Sequence, residues 1–353
     1  MKILMLVNWK VNHLNEKDEK LQSPDYTLPN EKYWFFKHVA KEEDIIDVIG
    51  LECAPKRSKI EKKLFNFYIT QTLKNIFKIR KYDVVISHGA QSGIVLAFLR
   101  RFMLKKVKHI LIDVGAFQSA SEKDNLIMKT IQFASKSIDY VIYHTSSQIH
   151  YYEKYFPWIV NKSKFVHYGE DVKYFDKKQD IEKENNIICI GYSKRDWKTL
   201  ISAFNNIDTD YKLVILGKKI ESANDRIISY DFLPLDQLIW QIQKAKIGIL
   251  PLDDLNYSFG QMTFLQQGIL KLPMIVSNSR SLRDYFVENE TCIVFNSGNE
   301  KELKEKIESL ILDEEKQKEI SEKNYNYILN NLNSKIMAKN IWNIILSIKR
   351  KEG

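Results

Sequence analysis

Two short stretches of the chain set glycine and polar or cationic side chains directly after an apolar run. The first is Gly191-Tyr192-Ser193-Lys194-Arg195-Asp196-Trp197-Lys198, which follows the apolar residues 187–190 and leads into a helix-like segment. Arg195 offers a rigid two-pronged donor for phosphate, and Lys198 a mobile point charge. A basic run of this kind is more often a solvated loop than a site. The second stretch is Ser258-Phe259-Gly260-Gln261-Met262, reached from the apolar residues 247–250 through a polar loop. Gly260 permits close approach of a ligand. The first-turn amides of the helix it opens, on Gln261, Met262 and Thr263, face outward at the helix's positive end. Taken alone this is also an ordinary strand–loop–helix. Together, on one sheet edge, the two stretches form a clamp for a diphosphate leaving group.

The first half of the chain offers fewer such residues. His88 and Asp113 close apolar runs, and Asn8 and Trp9 follow the first one. A histidine or aspartate at a strand end is often structural, as His144 is expected to be, so His88 and Asp113 are candidates of a weaker kind. Cys53, Cys189 and Cys292 are far apart, with no Cys-x-x-Cys pair. No Asp-x-Asp closes a strand, because Asp253-Asp254 lacks the middle spacing. No metal or cofactor is therefore expected, and the thiols read as reduced.

These residues need elements to position them. The chain has 353 residues, 44% of them hydrophobic and 12% aromatic, which is enough for two folded domains. In the first half, strands are expected at 3–7, 45–50, 84–87, 109–113, 140–144 and 165–168, with helices at 33–41, 59–80, 93–104, 124–137 and 147–155. In the second, strands are expected at 186–191, 212–216, 227–230, 247–250, 274–276 and 292–295, with helices at 197–205, 236–244, 261–269, 281–287 and 300–311. Such alternation implies an α/β fold of two doubly wound parallel sheets, which bind ligands beyond the carboxyl ends of their strands. The polar stretch 176–185 is the candidate linker. A last amphipathic helix at 333–349 carries Ile336, Ile341, Ile344, Ile345 and Ile348.

Over about 186–312 the chain resembles the family-4 retaining glycosyltransferases of the GT-B fold. IICIGYSKRDWKTLISAF is similar to that family's strand, glycine-basic loop and helix, and YKLVILG to its next strand. FLPLDQLIWQIQKAKIGILPL, FGQMTFLQQGILKLPMIVSN and NETCIVFNSGNEKELKEKIESLI follow in the family's order, and VHYGEDVKYF resembles its entry into the second domain. The resemblance implies an acceptor-side domain at 1–170, a nucleotide-sugar domain at 171–335, a terminal helix at 336–353 crossing back, and a central cleft. It implies transfer of a sugar from a nucleotide-diphosphate sugar, with UDP the expected nucleotide, to a glycan or lipid-linked acceptor, with retention and without metal. It places Gly191, Ser258, Phe259, Gly260, Gln261, Met262, Gln266 and Phe232 at the donor, Asn8 and Trp9 on the acceptor side, and His88, Arg195, Lys198 and Asp113 at the reaction centre. There is one departure. Ser258 and Gln266 stand where the family commonly has two glutamates, the first holding the donor sugar and the second the ribose. Gln266 keeps hydrogen-bonding capacity without charge.

The net charge of +9 lies wholly in the first half. Residues 1–168 hold 27 Lys and Arg against 17 Asp and Glu, and residues 169–353 hold 27 against 28. The stretches 56–63, 74–81 and 99–108 mix lysine and arginine with apolar residues. They could be core-facing helices with a solvated basic side, or faces that meet an anionic membrane. No run of 18 apolar residues occurs, and the opening MKILMLVNW reads as a strand. A cytoplasmic protein, peripheral on the inner face of the plasma membrane and serving surface-polysaccharide synthesis, is the expectation. A nucleic-acid-binding protein is disfavoured, since no helix-turn-helix, RNP-like or zinc pattern is present. A catalytically inactive partner subunit stays open because of Ser258 and Gln266. A nucleotide-sugar epimerase would need a histidine- and glutamate-rich site that the sequence does not display.

Overall fold

The computed structural model describes residues 1–18, 20–104, 106–115, 117, 125–175 and 181–350. The chain divides into two compact units, Met1–His167 with Lys335–Gly353, and Tyr168–Ser334.

In unit 1 the strands are β1 (Lys2–Val7), β2 (Asn12–His13), β3 (Tyr26–Thr27), β4 (Ile45–Ile49), β5 (Val84–His88), β6 (Lys108–Asp113), β7 (Tyr140–Tyr143) and β8 (Ser163–Phe165). The main sheet runs β4-β1-β5-β6-β7-β8, and every pairing in it is parallel. Ile3 to Val7 are completely buried, as expected of a strand with both faces covered. Strand order reverses between β1 and β5, so the crevice at their carboxyl ends is the ligand position of this sheet. Asn8, Trp9 and His88 stand there.

Unit 2 contains β9 (Asn186–Ile190), β10 (Lys212–Leu216), β11 (Ile227–Tyr230), β12 (Ile247–Leu250), β13 (Met274–Ser277) and β14 (Ile293–Phe295). Their order, β11-β10-β9-β12-β13-β14, is again wholly parallel, and it reverses between β9 and β12. Alternate residues serve opposite cores. Ile188, Val214, Leu250 and Met274 pack with Phe264 and Leu265 of helix Gln261–Ile269, whereas Ile187, Leu213, Ile249 and Ile275 pack with Leu200 and Leu303 on the other face. The first and last segments of this unit are laced together. Glu170 forms a bridge with Asn333, Glu170 N–H donates to Leu332 O (3.1 Å) and Ser334 N–H to Glu170 O (2.8 Å). A Cβ on Gly169 would run into the Asn333 carbonyl, so only glycine fits there.

Several expected elements differ. The helix expected over 59–80 is three helices, Pro55–Phe65, Ile69–Lys74 and Ile76–Ile79, because Asn66 ends the first in the left-handed region (φ 58). The segments 33–41 and 281–287 contain only 3-10 turns, Trp34–His38 and Arg283–Tyr285. The strand expected at 165–168 ends at Phe165, and Tyr168 N–H instead donates to Tyr285 Oη (2.8 Å). Helix Glu314–Asn331 has no counterpart among the expected elements, because its few buried apolar positions make a weak periodic signal.

The 176–185 stretch is not the boundary between the units. Residues 176–180 lie outside the described residues, and Lys183 Nζ donates to Ala245 O (2.8 Å) inside unit 2. Helix Ser334–Arg350 is grouped with unit 1, its Ile341 and Ile345 completely buried and its Trp342 ring edge-on to Phe36 at 6.1 Å. The expected helix over 124–137 is observed as Leu126–Ser135, residue 124 lying outside the described residues.

Candidate functional site

In unit 2 the candidate residues converge at the β9/β12 switch point. β9 ends at Ile190, and Gly191 turns the chain with φ 152, a conformation glycine adopts freely. The loop then returns across the sheet edge, where Arg195 forms an antiparallel bridge with Leu252 of the β12 loop. The Arg195 guanidinium is tethered at three points. Its Nε donates to Ile190 O (2.9 Å), Nη1 to Ser193 O (3.2 Å) and Nη2 to Thr263 Oγ1 (3.2 Å). Thr263 sits in the first turn of helix Gln261–Ile269, so the guanidinium spans from the end of β9 to the start of that helix. Burial lowers the pKa of Arg195, opposed by nearby Cys189 and Asp253, yet an arginine stays cationic at neutral pH. Asp196 caps the next helix by accepting from Thr199 N–H (3.0 Å).

Helix Gln261–Ile269 begins at Gly260, which has φ 86. A Cβ there would stand 2.8 Å from Leu252. Gln261 is buried and donates through Nε2 to Ser281 O, which fixes the helix start rather than offering its side chain to a ligand. Met262 is exposed, and Ser258 and Phe259 are half-buried. Lys198 is exposed on the first turn of helix Trp197–Asn205. Phe232 is exposed in the loop after β11 and stacks on Tyr192 (ring centroids 6.1 Å, interplanar angle 25°). Tyr192, next to Gly191, was not singled out from the sequence.

Gln266 is buried, and its Nε2 lies 3.5 Å from Glu170 Oε2. Glu170 is also buried, and Tyr168 Oη donates to it at 3.4 Å. Burial raises its pKa from 4.5 to about 7. The sequence contains this glutamate within VHYGED, but nothing local marks it, because its partner Gln266 is 96 residues away. A stability consequence follows. The folded chain holds a proton on Glu170 that an unfolded carboxylate releases near its ordinary value. Its contribution is therefore full below about pH 4.5 and is lost as pH rises through about 7. Glu170→Gln should flatten this part of the stability-versus-pH curve, by a difference approaching roughly 3 kcal/mol. Denaturant titrations of both proteins between pH 5 and 8 on the order of one unit apart measure it, and parallel curves would dispose of it.

Unit 1 gathers Asn8, Trp9 and His88 at its own switch point. Asn8 Nδ2 donates to Gln91 Oε1 (2.6 Å), Ser92 Oγ donates to Asn8 Oδ1 (2.6 Å), and Ser92 also meets Gln71. Gln71 Nε2 in turn donates to Val7 O (2.9 Å) and Ile49 O (3.0 Å), locking the ends of β1 and β4. The His88 ring lies between Trp9 (5.0 Å) and Trp34 (5.3 Å), and its buried Nε2 has no hydrogen-bond partner among the described residues. Burial and the proximity of His144 lower its pKa to about 3, so it is a neutral imidazole at working pH.

Asp113 does not fit the expectation of a catalytic group that meets the acceptor. It is completely buried, and its carboxylate accepts from Gly115 N–H (3.0 Å), Gln148 Nε2 (2.9 Å) and Tyr152 Oη (2.8 Å). Those three donors use the oxygens an acceptor hydroxyl would need. His144, buried with Nδ1 2.6 Å from Val166 O, holds the end of β7 to the segment after β8.

Among the described residues, no group of three His, Cys, Asp or Glu side chains could hold a metal ion, and no helix is long and apolar enough to cross a membrane.

Residues 171–327 match the family model described as Glycosyl transferases group 1. No curated protein matches the chain by sequence. Among solved structures, the chain is similar to Anabaena Alr3699/HepE in complex with UDP (TM-score 0.69, 12% identity, 98% of this chain and 100% of that one). It is similar to sucrose-phosphate synthase (tll1590) from Thermosynechococcus elongatus (TM-score 0.69, 13% identity, 99% and 100%). It is also similar to a glycosyltransferase from Rickettsia africae ESF-5 (TM-score 0.63, 13% identity, 98% and 98%). At these identities the structures speak for the fold, and the family match speaks for the second unit. The chain has the GT-B fold of two Rossmann-like units and is a glycosyltransferase, its group 1 segment lying in unit 2.

Proposed function

We propose that this glycosyltransferase transfers a hexose from a UDP-sugar, with retention and without metal, to a glycan or lipid-linked acceptor in surface-polysaccharide or glycoconjugate synthesis, in the manner of family 4. The observation that carries the donor half is the span of Arg195 from Ile190 O to Thr263 Oγ1, which puts a fixed cation beside the open end of a helix. Negative charge grows on the diphosphate as the sugar's anomeric bond breaks. A preorganised guanidinium and first-turn amides stabilise that charge without rearrangement. Lys198 supplies a second, mobile cation. The stacked Tyr192–Phe232 pair gives a flat, exposed face for a nucleobase. Anabaena HepE, which shares the fold, was solved with UDP and with UDP-glucose, and this favours UDP as the donor nucleotide.

Where family 4 has its second glutamate, Gln266 and the adjacent buried Glu170 together keep a polar pair for a ribose. His88, neutral between two tryptophans, serves in this reading as a hydrogen-bonding group on the acceptor side with Asn8 and Trp9, and not as a proton donor. The protein works at the cytoplasmic face of the plasma membrane. Helix Pro55–Phe65 supports this, since Ile60, Leu64 and Phe65 are exposed among Lys56, Arg57, Lys59, Lys62 and Lys63, and Phe77 is 74% exposed nearby in sequence. Of the basic stretch 99–108, Lys105 lies outside the described residues, and the exposed rings of Phe98, Phe102 and Phe133 cluster there under Arg101.

The test is release of nucleotide from UDP-, GDP- and ADP-sugars, run with and without chelator, in solution and on vesicles with and without anionic lipid. UDP release that survives chelation and rises on anionic vesicles is expected. Release from another nucleotide-sugar alone would reject the UDP assignment, and no release from any would favour an inactive partner subunit.

A further inference from the structure

Unit 1 contains a cleft of about 590 Å³ whose lining takes in Asn8 of the acceptor side and Lys59 and Lys62 of the basic helix. It opens where the loops after β1 and β4 meet helix Pro55–Phe65, with Asn8, Lys10, Glu52, Lys59, Lys62 and Tyr68 among its lining residues. Lys59 and Lys62 are three positions apart on that helix and so share one face. Neither their ammonium groups nor that of Lys10 forms an ion pair or hydrogen bond among the described residues. Glu52, the carboxylate in the wall, is already engaged. Its Oε1 accepts from Gly50 N–H (2.8 Å) and its Oε2 from Val11 N–H (2.9 Å), with His13 3.6 Å away. It shapes the wall, and against its single negative charge the three lysines leave the lining with an excess of positive charge.

A second observation is independent of charge. Tyr68 is only 4% exposed, and its hydroxyl makes no hydrogen bond among the described residues. An unpartnered hydroxyl on a largely buried ring that lines an open cleft is placed to donate to whatever fills the space. The floor is rigid, because Asn8 is held by Gln91 and Ser92.

We propose that this cleft binds the acceptor substrate through a phosphate group, with Lys10, Lys59 and Lys62 as counter-charges and the Tyr68 hydroxyl as donor. Three ammonium groups around one cavity suit a doubly charged, roughly spherical group better than a planar carboxylate, for which arginine forks are the fitted partner. Asn8 puts the cleft next to the residues assigned to the acceptor side. The inference deepens the proposed function and rests on it. The phosphate can belong to a soluble phosphorylated sugar or to a phosphate-linked lipid.

The experiment is calorimetric titration of the full chain, saturated with UDP to occupy the donor site. The soluble probe is glucose 6-phosphate, with glucose as its uncharged control. The lipid probe is phosphatidylcholine vesicles with and without polyprenyl phosphate. At least one phosphorylated probe should bind, and Lys59→Gln/Lys62→Gln should weaken it by about tenfold or more. Tyr68→Phe should weaken it severalfold, and both variants should bind UDP as the unsubstituted protein does. Whichever probe responds names the source of the phosphate. Equal binding of charged and uncharged probes, or lysine variants that bind like the parent, would overturn the proposal. Failure of the parent chain to bind UDP, with lysine-dependent phosphate binding intact, would remove the donor assignment and leave the phosphate site standing.

Discussion

Arg195→Ala should lower turnover by about a hundredfold or more and leave the fold intact. A hundredfold corresponds to about 2.7 kcal/mol of lost transition-state stabilisation, the order expected for one preorganised charged donor. The fold should survive because Arg195 is not part of either apolar core of unit 2, which close around Leu250, Phe264 and Leu200 without it. Arg195→Lys should recover little. A single ammonium cannot reach Ile190 O, Ser193 O and Thr263 Oγ1 together, as the planar guanidinium does. Steady-state kinetics with the nucleotide-sugar that the parent enzyme uses, beside a thermal melt, decide the matter. Turnover within a few-fold of the parent would remove Arg195 from the reaction.

Gly191→Ala should produce nearly the same loss with the arginine still present. A Cβ at Gly191 would run into Arg195 Nε and come within 2.6 Å of Cζ, at a φ of 152 that side chains rarely adopt. The guanidinium cannot keep its bond to Ile190 O while yielding that space, so it swings out of the span to Thr263. Since both substitutions empty one seat, their effects should not add. The double variant Gly191→Ala/Arg195→Ala should be within about threefold of Arg195→Ala alone, whereas independent effects would multiply. Multiplying losses would mean that Gly191 contributes something other than room for its neighbour.

Much of the framework was legible because it rests on local pattern. Apolar runs such as Ile3–Val7, Ile187–Cys189 and Leu213–Leu216 are strands buried on both faces, and such strands read as continuously hydrophobic. The strand–loop–helix around Gly260 was legible for a related reason, since glycine with positive φ at a helix start leaves a mark in sequence. What stayed hidden depends on partners distant in the chain. Thr263 completes the Arg195 span from 68 residues away. Glu170 meets Gln266, and the fate of Asp113 was decided by Gln148 and Tyr152. Residue type and spacing identified Asp113 as able to do chemistry, and only packing revealed that its oxygens are occupied. The break at Asn66 was missed because the lysine-rich pattern runs on past it, although one left-handed residue is enough to end a helix.

The lacing of Gly169 and Glu170 to Asn333 and Ser334 has a consequence for how this molecule can be rebuilt. Unit 2 begins and finishes at a single seam, so it is an insert threaded into unit 1 between its last strand and its closing helix. If the proposed donor assignment holds, a cassette of this form is exchangeable for one handling another nucleotide-sugar by cutting at two neighbouring points, with the order of the first sheet untouched. On the proposed donor assignment, a change of donor preference in this chain needs no new fold, only a seam that Gly169 keeps narrow.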